Sequence, residues 1–200
     1  MAATCNTSDI LQSPVNVYVA AVGATEPADS VDYGGNWPSA WTSLGLTNAP
    51  LTKVITQNTN MIHAQQTALP AKEKVTGLVV TWATELLQVS WYNLFYATNG
   101  IVTATAAGAG QVGKDEIEFG GADATGRVFN LPERAWGFEA LNEHGYVQRW
   151  IARKATSKSN GNVVYDRDNH AFIPIIITVL DPCNGSSPIY GLNVTAPATS

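Results

Sequence analysis

Apolar and polar residues alternate with a period of two along most of the chain, the pattern of half-buried β-strands. Val15, Val17 and Val19 alternate ahead of the turn-rich stretch GATEPADS. A second strand is predicted at LTKVITQ, from Leu51, and a third from Val75 through Trp82 to Leu87, where Val, Thr and Leu dominate. Further on, Trp136, Phe138 and Ala140 alternate with Gly137, Glu139 and Leu141. Asn142-Glu143-His144-Gly145 then turns the chain into residues 146–153, which makes a hairpin. Residues 163–165, the turn Asp166-Arg167-Asp168-Asn169 and the strand from Ala171 to Leu180 read as a second hairpin. The core of that last strand, FIPIIITVL, is apolar on both faces, so its second face needs a helix or a neighbour to cover it.

One segment switches to a helical period. In SWYNLFYATNG, Ser90 caps the start, Trp91, Leu94, Phe95 and Thr98 share a face, and Asn99-Gly100 ends it. That face is expected to pack on a sheet. Residues 57–74, QNTNMIHAQQTALPAKEK, follow neither period and read as a long loop or arm whose amides and interspersed apolar residues order against a partner. The fold class is therefore mainly β with one flanking α-helix. Residues 1–182 form one β domain in this reading, and residues 183–200 a flexible C-terminal arm.

Composition narrows the function. The 200 residues are 45% hydrophobic, enough for a sizeable core, but only 14% charged, against about a quarter in a typical domain. Much of the surface is expected to be covered by a partner. Eleven basic and 16 acidic residues leave a net charge of −5, which argues against a protein that grips nucleic acid through phosphates. Cys5 and Cys183 stand near opposite ends and form no CxxC spacing. No basic region followed by an apolar run marks the start, so the reading is of no export signal, no membrane insertion and synthesis in a reducing cytoplasm. The sequons at Asn6, Asn184 and Asn193 then carry no consequence.

Candidate chemistry is thin. GAGQVGKDE, residues 108–116, places Gly108, Gly113 and Lys114 at the spacing of a phosphate-binding loop, but Asp115 replaces the metal-binding hydroxyl and an alternating strand follows where a helix is required. His63, His144 and His170 lie in loops and turns outside any catalytic motif. Asp166, Asp168 and His170 could face one side of an extended segment and hold a metal, though Asp and Asn are also what a turn demands. Arg149, Arg153, Lys154 and Lys158 form a basic run read as a solvated or intersubunit salt-bridging face. Trp37 and Trp41 suit a sugar-stacking pair in a lectin-like loop, or anchors that hold a loop to the core.

Several stretches in order resemble the major tail tube protein of long, non-contractile phage tails: WTSLGLTNAPLTK, NTNMIHAQQT, WATELLQVSWYNLFY, the paired hairpins, and the apolar strand ending in Leu180-Asp181-Pro182. The likeness spans residues 14–182. It implies a β-sandwich or barrel-like subunit assembled into hexameric rings, stacked as a tube through which the genome passes. It also implies tape-measure and tail-completion proteins as partners in the lumen and at the tube ends, no cofactor, no metal and no catalysis. The amides Gln57, Asn58, Asn60, Gln65 and Gln66, with Met61, Ile62 and Leu69, would then contact a neighbouring ring, and Ile173, Ile175 and Ile177 would lie on an assembly strand. The tryptophan-containing loop of residues 36–41 is longer than in the simplest members. A monomeric lectin-like or decoration module is the alternative, and an enzyme using Asp166, Asp168 and His170 a third.

Overall fold

The computed structural model describes residues 15–29, 32–35, 37–62, 72–99, 101–110, 112–118, 131–142, 145–159, 161, 163 and 171–195. Its strands are β1 (Asn16–Ala21), β2 (Thr42–Leu46), β3 (Thr52–Ile62), β4 (Lys72–Leu86), β5 (Ile101–Thr105), β6 (Lys114–Glu118), β7 (Glu133–Leu141), β8 (Val147–Ser159), β9 (Ile173–Val179) and β10 (Ile189–Asn193), with one helix, α1 (Trp91–Thr98), between β4 and β5. The large sheet runs β2-β1-β7-β8-β9-β4-β3, with β10 also on β8, and β5 pairs with β6 apart from it. Every pairing is antiparallel.

The sheet returns on itself. Thr47 bridges Leu86, the Asn48 amide donates to the Glu85 carbonyl at 2.8 Å, and the Leu87 amide donates to the Leu46 carbonyl at 3.0 Å. These bonds close the path β2-β1-β7-β8-β9-β4 into a barrel, which removes the exposed edges of those strands. The twist that closure requires also forks two strands. Along one edge of β8, β10 pairs with residues 148–152 and β9 with residues 155–159, while β7 occupies the other edge. Along β4, β9 covers only residues 81–86, whereas β3 runs from residue 72 to 83 on the opposite edge. The β3–β4 hairpin therefore leaves the barrel as a two-stranded ribbon.

Alternation sorts side chains to two cores. Val17, Val19, Trp136, Phe138, Trp82, Leu86, Ile173, Ile175 and Ile177 fill the interior, with the Phe138 and Trp82 rings packed edge to face. Tyr18, Ala20, Ala135 and Ile151 point to the outer face of β1, β7 and β8, where Trp37, Trp41 and Tyr190 cover them. The stretch between β1 and β2 is thus the lid of a second core. Gly137 makes the lid possible, because a Cβ there would run into the Trp37 ring.

The helix begins and ends as its sequence predicts. The Ser90 hydroxyl accepts from the Asn93 amide at 3.1 Å, and Asn99, at φ 55°, donates its amide to the Phe95 carbonyl. Its buried face differs from the predicted aromatic stripe: Asn93, Leu94 and Ala97 are buried, whereas Trp91 is 49% exposed. The reason is polar. Asn93 donates to the carbonyls of Leu44 and Gln88, both at 2.8 Å, and these bonds turn the helix about its axis. Ser157 and Asn99 then tie it to β8.

Three further expectations change. Residues 57–62 and 72–74 are not a loop but paired strand, extending β3 and β4. The partner of β9 is β8, extended to Ser159, together with β4; Val163 lies outside any strand, and residues 164–170 lie outside the described residues. Residues 189–193, expected in a flexible arm, form β10. No helix among the described residues is long and apolar enough to cross a membrane.

Candidate functional site

Residues directly opposite each other in a ladder share a face, so the register of the hairpin sorts its side chains. Ile55, Gln57, Thr59 and Met61 stand opposite Val80, Leu78, Val75 and Glu73. This face continues the interior face of the barrel through Val80 and Trp82, and it is apolar over most of its length. Val54, Thr56, Asn58, Asn60 and Ile62 stand opposite Thr81, Val79, Gly77, Lys74 and Lys72 and make the second face, richer in amides and lysines. A bulge at Thr76, which breaks the register between Asn58 and Thr59, puts Val75 on the same face as Leu78. The Thr76 hydroxyl donates to the Asn58 carbonyl at 3.1 Å and holds it there.

Among the described residues nothing buries this ribbon. Val54, Ile55, Met61, Ile62, Val75, Leu78 and Val79 are each between 45% and 55% exposed. Of the residues expected to meet a neighbouring ring, Gln57, Asn58, Asn60, Met61 and Ile62 lie on it and are exposed. Gln65, Gln66 and Leu69 lie outside the described residues. Ile173, Ile175 and Ile177 are placed elsewhere: they are at most 1% exposed, inside the subunit's own core. On the other face of β9, Pro174 is buried and Ile176 and Thr178 are half-buried. Sequence reasoning missed the second strand of the ribbon as surface, because Val75, Leu78 and Val79 read as ordinary strand apolars. The signal was the length of the run from Val75 to Leu87, more than a compact barrel can cover.

The outer core holds the charges that the sequence left open. Glu139 and Arg149 are fully buried and paired at 2.8 Å. The second Glu139 oxygen accepts from the Gly34 amide at 2.7 Å and the Trp37 indole at 3.1 Å, and Arg149 donates to the Ala28 carbonyl at 3.1 Å. Arg153 pairs with Glu26 at 2.5 Å and Lys154 with Glu133 at 3.1 Å. Of the basic run expected on a solvated or intersubunit face, Arg149, Arg153 and Lys154 are thus paired within the chain and Lys158 is exposed; the Arg149 and Arg153 contacts fasten the lid. Trp37 stacks on Tyr18 at 3.9 Å, and the buried Trp41 donates to the Thr25 carbonyl. Both are anchors of that lid, which removes the sugar-stacking surface a lectin would need.

The remaining candidates fall partly on described residues and partly outside them. Lys114 and Asp115 lie on β6, with Lys114 paired to Glu116, so that a strand directly follows Gly113 where a phosphate loop needs a helix. His63, His144, Asp166, Asp168 and His170 lie outside the described residues. Among the described residues no group of three His, Cys, Asp or Glu could hold a metal ion. Cys183 is exposed, and Cys5 lies outside the described residues.

Among the described residues the molecule is thus a closed barrel with a long exposed ribbon, apolar on one face, and an outer face covered by its own lid. No curated protein matches the chain. A family model described as phage tail tube protein matches residues 3–196. The chain belongs to the phage tail tube protein family, and is a structural component of the virion tail.

Proposed function

We propose that the subunit polymerises through the β3–β4 hairpin into rings, six-membered as the sequence resemblance implies, that stack into the tube of a long, non-contractile tail. The observation that carries this reading is the hairpin itself, exposed along Val54 to Ile62 and Lys72 to Val79. At about 3.3 Å per residue the first of these stretches spans roughly 30 Å. An isolated two-stranded ribbon is marginal in water and needs a covering partner. Its edges supply the means. Among the described residues β3 pairs with β4 alone, and β4 has lost β9 from Val80 back to Lys72. The outer edge of β3 in one copy can add to the free edge of β4 in the next, a head-to-tail contact that closes into a ring when the rotation closes. The apolar face then meets neighbouring copies in the same or the next ring.

The surplus of acidic residues supports a conduit role, since DNA passing an acidic wall makes few of the counterion-releasing contacts that cause tight binding. Tape-measure and completion proteins would occupy the lumen and ends. In this reading the protein works by assembly, with no catalysis, no cofactor and no membrane insertion, in the virion after assembly in the host cytoplasm.

The test removes the ribbon. Replacing residues 57–78 with Asn-Gly joins Thr56 to its partner Val79 through a short turn. The barrel should keep its circular dichroism and unfolding midpoint, because none of the described residues among those deleted belongs to either core. Sedimentation should show single subunits in place of tubes, since a contact well below roughly 1,000 Å² does not persist. Long tubes from the trimmed variant would end the proposal.

A further inference from the structure

A second apolar opening lies at the start of α1. Val89, Trp91, Tyr92, Leu94 and Asp115 line a groove of about 530 Å³ between the helix and β6, within the roughly 300–1,000 Å³ of pockets that bury a ligand. Solvent reaches its aromatic walls, since Trp91 and Tyr92 are 49% and 51% exposed. Asp115 is exposed beside them and forms no ion pair with a described residue. Lys114 and Glu116 alternate to the other side of β6, where they pair with each other, so the charge on the groove side is the Asp115 carboxylate. An aromatic floor with a free carboxylate beside it suits an apolar side chain flanked by a cation.

The far end of the hairpin presents that combination. Ile62, 48% exposed, stands directly opposite Lys72, and Asn60 opposite Lys74, on the second face of the ribbon. Both lysines are exposed, and neither forms an ion pair with a described residue. Glu73, the acid between them, alternates to the other face with Met61. The second face therefore ends in an isoleucine flanked by two ammonium groups. This end and the groove also stand at opposite ends of one strand, because β4 begins at Lys72 and finishes at Leu86, just before α1. Its 15 residues span roughly 45–50 Å at about 3.3 Å each, which keeps the end of the hairpin away from the groove of its own chain. A knob and a matching hole at the two ends of a subunit make a head-to-tail contact, which repeats without closing and so suits a stack.

We propose that the groove between α1 and β6 receives the end of the β3–β4 hairpin from a copy of the chain in the next ring, with Ile62 on the Trp91 and Tyr92 rings and Lys72 or Lys74 paired with Asp115. The inference rests on polymerisation through that hairpin and gives the stacking contact its receptor. Pairing of strand edges makes the ring and the groove makes the stack, so the two contacts use different parts of one hairpin. The match is selective, since an acidic residue arriving in place of the lysine would meet Asp115 with like charge.

The experiment measures tube growth and urea stability in variants of the full chain. Trp91→Ala removes the floor of the groove at an exposed position, and Asp115→Lys reverses the charge beside it on an exposed strand residue. Each should unfold near the wild-type midpoint and raise the critical concentration for tube growth about tenfold or more. Lys72→Glu and Lys74→Glu are then made singly, and each is combined with Asp115→Lys. At least one of these lysine reversals should impair growth alone and restore it in the combination, the mark of a direct contact between copies. Should Trp91→Ala fail to fold, the charge reversals still decide. A wild-type critical concentration in either folded groove variant would place the end of the hairpin elsewhere, and impaired growth that neither lysine reversal rescues would give the groove to another segment or another protein. Either result overturns the inference and leaves polymerisation through the hairpin standing. Wild-type chain that forms no tubes would overturn that polymerisation, and this inference with it.

Discussion

Glu139 has every acceptor direction in use: Arg149 Nε and Nη2 meet one oxygen at 3.3 and 2.8 Å, and Gly34 and Trp37 meet the other. Burying two charges carries a large desolvation cost, and only a complete set of hydrogen bonds offsets it. Glu139→Ala should therefore cost about 3–5 kcal/mol by leaving the Arg149 charge unpaired in the outer core. In urea melts, Glu139→Leu combined with Arg149→Met should be more stable than Glu139→Ala, because no lone charge remains. A loss below about 1 kcal/mol for Glu139→Ala would mean that solvent reaches Arg149 through the lid. Sequence pattern gave both residues the appearance of surface: Glu139 alternates with the apolar Phe138 and Ala140, and Arg149 lies in a basic run. Nothing in the order of residues says that a stretch more than 100 positions earlier folds over that face.

At the scale of elements, the hairpin beyond Val80 contributes no described residue to either core, unlike the strands of the barrel. Its backbone hydrogen bonds are protected only by each other, so amides of residues 56–62 and 72–79 should exchange through local opening, far faster than those of residues 81–86 on the same strand β4. Hydrogen exchange read by mass spectrometry should show this in the dissociated subunit, with the hairpin becoming protected on tube formation. Equal protection of the two halves of β4 in the free subunit would contradict the picture of a freestanding ribbon. The start of β3 and most of β4 were legible from their Val, Ile and Thr content. Residues 57–62 were not, because Gln, Asn and Thr carry weak strand preference, and what makes them strand is the β4 backbone opposite. Likewise the caps of α1 are local and readable, whereas its buried face is set by Asn93 reaching Leu44 on a distant strand.

For the molecule as a whole, the outer core links stability to alkaline pH. Burial, then the Glu139 charge, then Tyr33 push the Tyr18 hydroxyl up to about 12. Tyr33 and Tyr190 are raised as well, burial being the first cause in each. A phenol whose folded pKa exceeds its unfolded value near 10 holds its proton in the folded state after the unfolded chain has released it. Its contribution is complete below pH 10 and is lost as pH rises through 12. The urea midpoint should hold steady to pH 10 and then fall, and Tyr18→Phe, which keeps the ring against Trp37, should flatten that fall. A midpoint that declines equally in Tyr18→Phe would assign the effect elsewhere.

The sequence by itself determined what is local or periodic. The strands β1, β4, β7, β8 and β9 and the caps of α1 all follow from neighbours within a few positions. Only the tertiary structure decided which apolar faces are buried. Period-two alternation states that a strand has two faces but not which of them a distant segment will cover. Ile173, Ile175 and Ile177 and the ribbon residues Ile55, Val75 and Leu78 are equally apolar in sequence. Closure of β2 onto the end of β4 draws β9 inside, and ends the pairing of β9 with β4 at Thr81. The same closure that buries the isoleucines leaves the rest of the hairpin outside the barrel, where its apolar face is exposed.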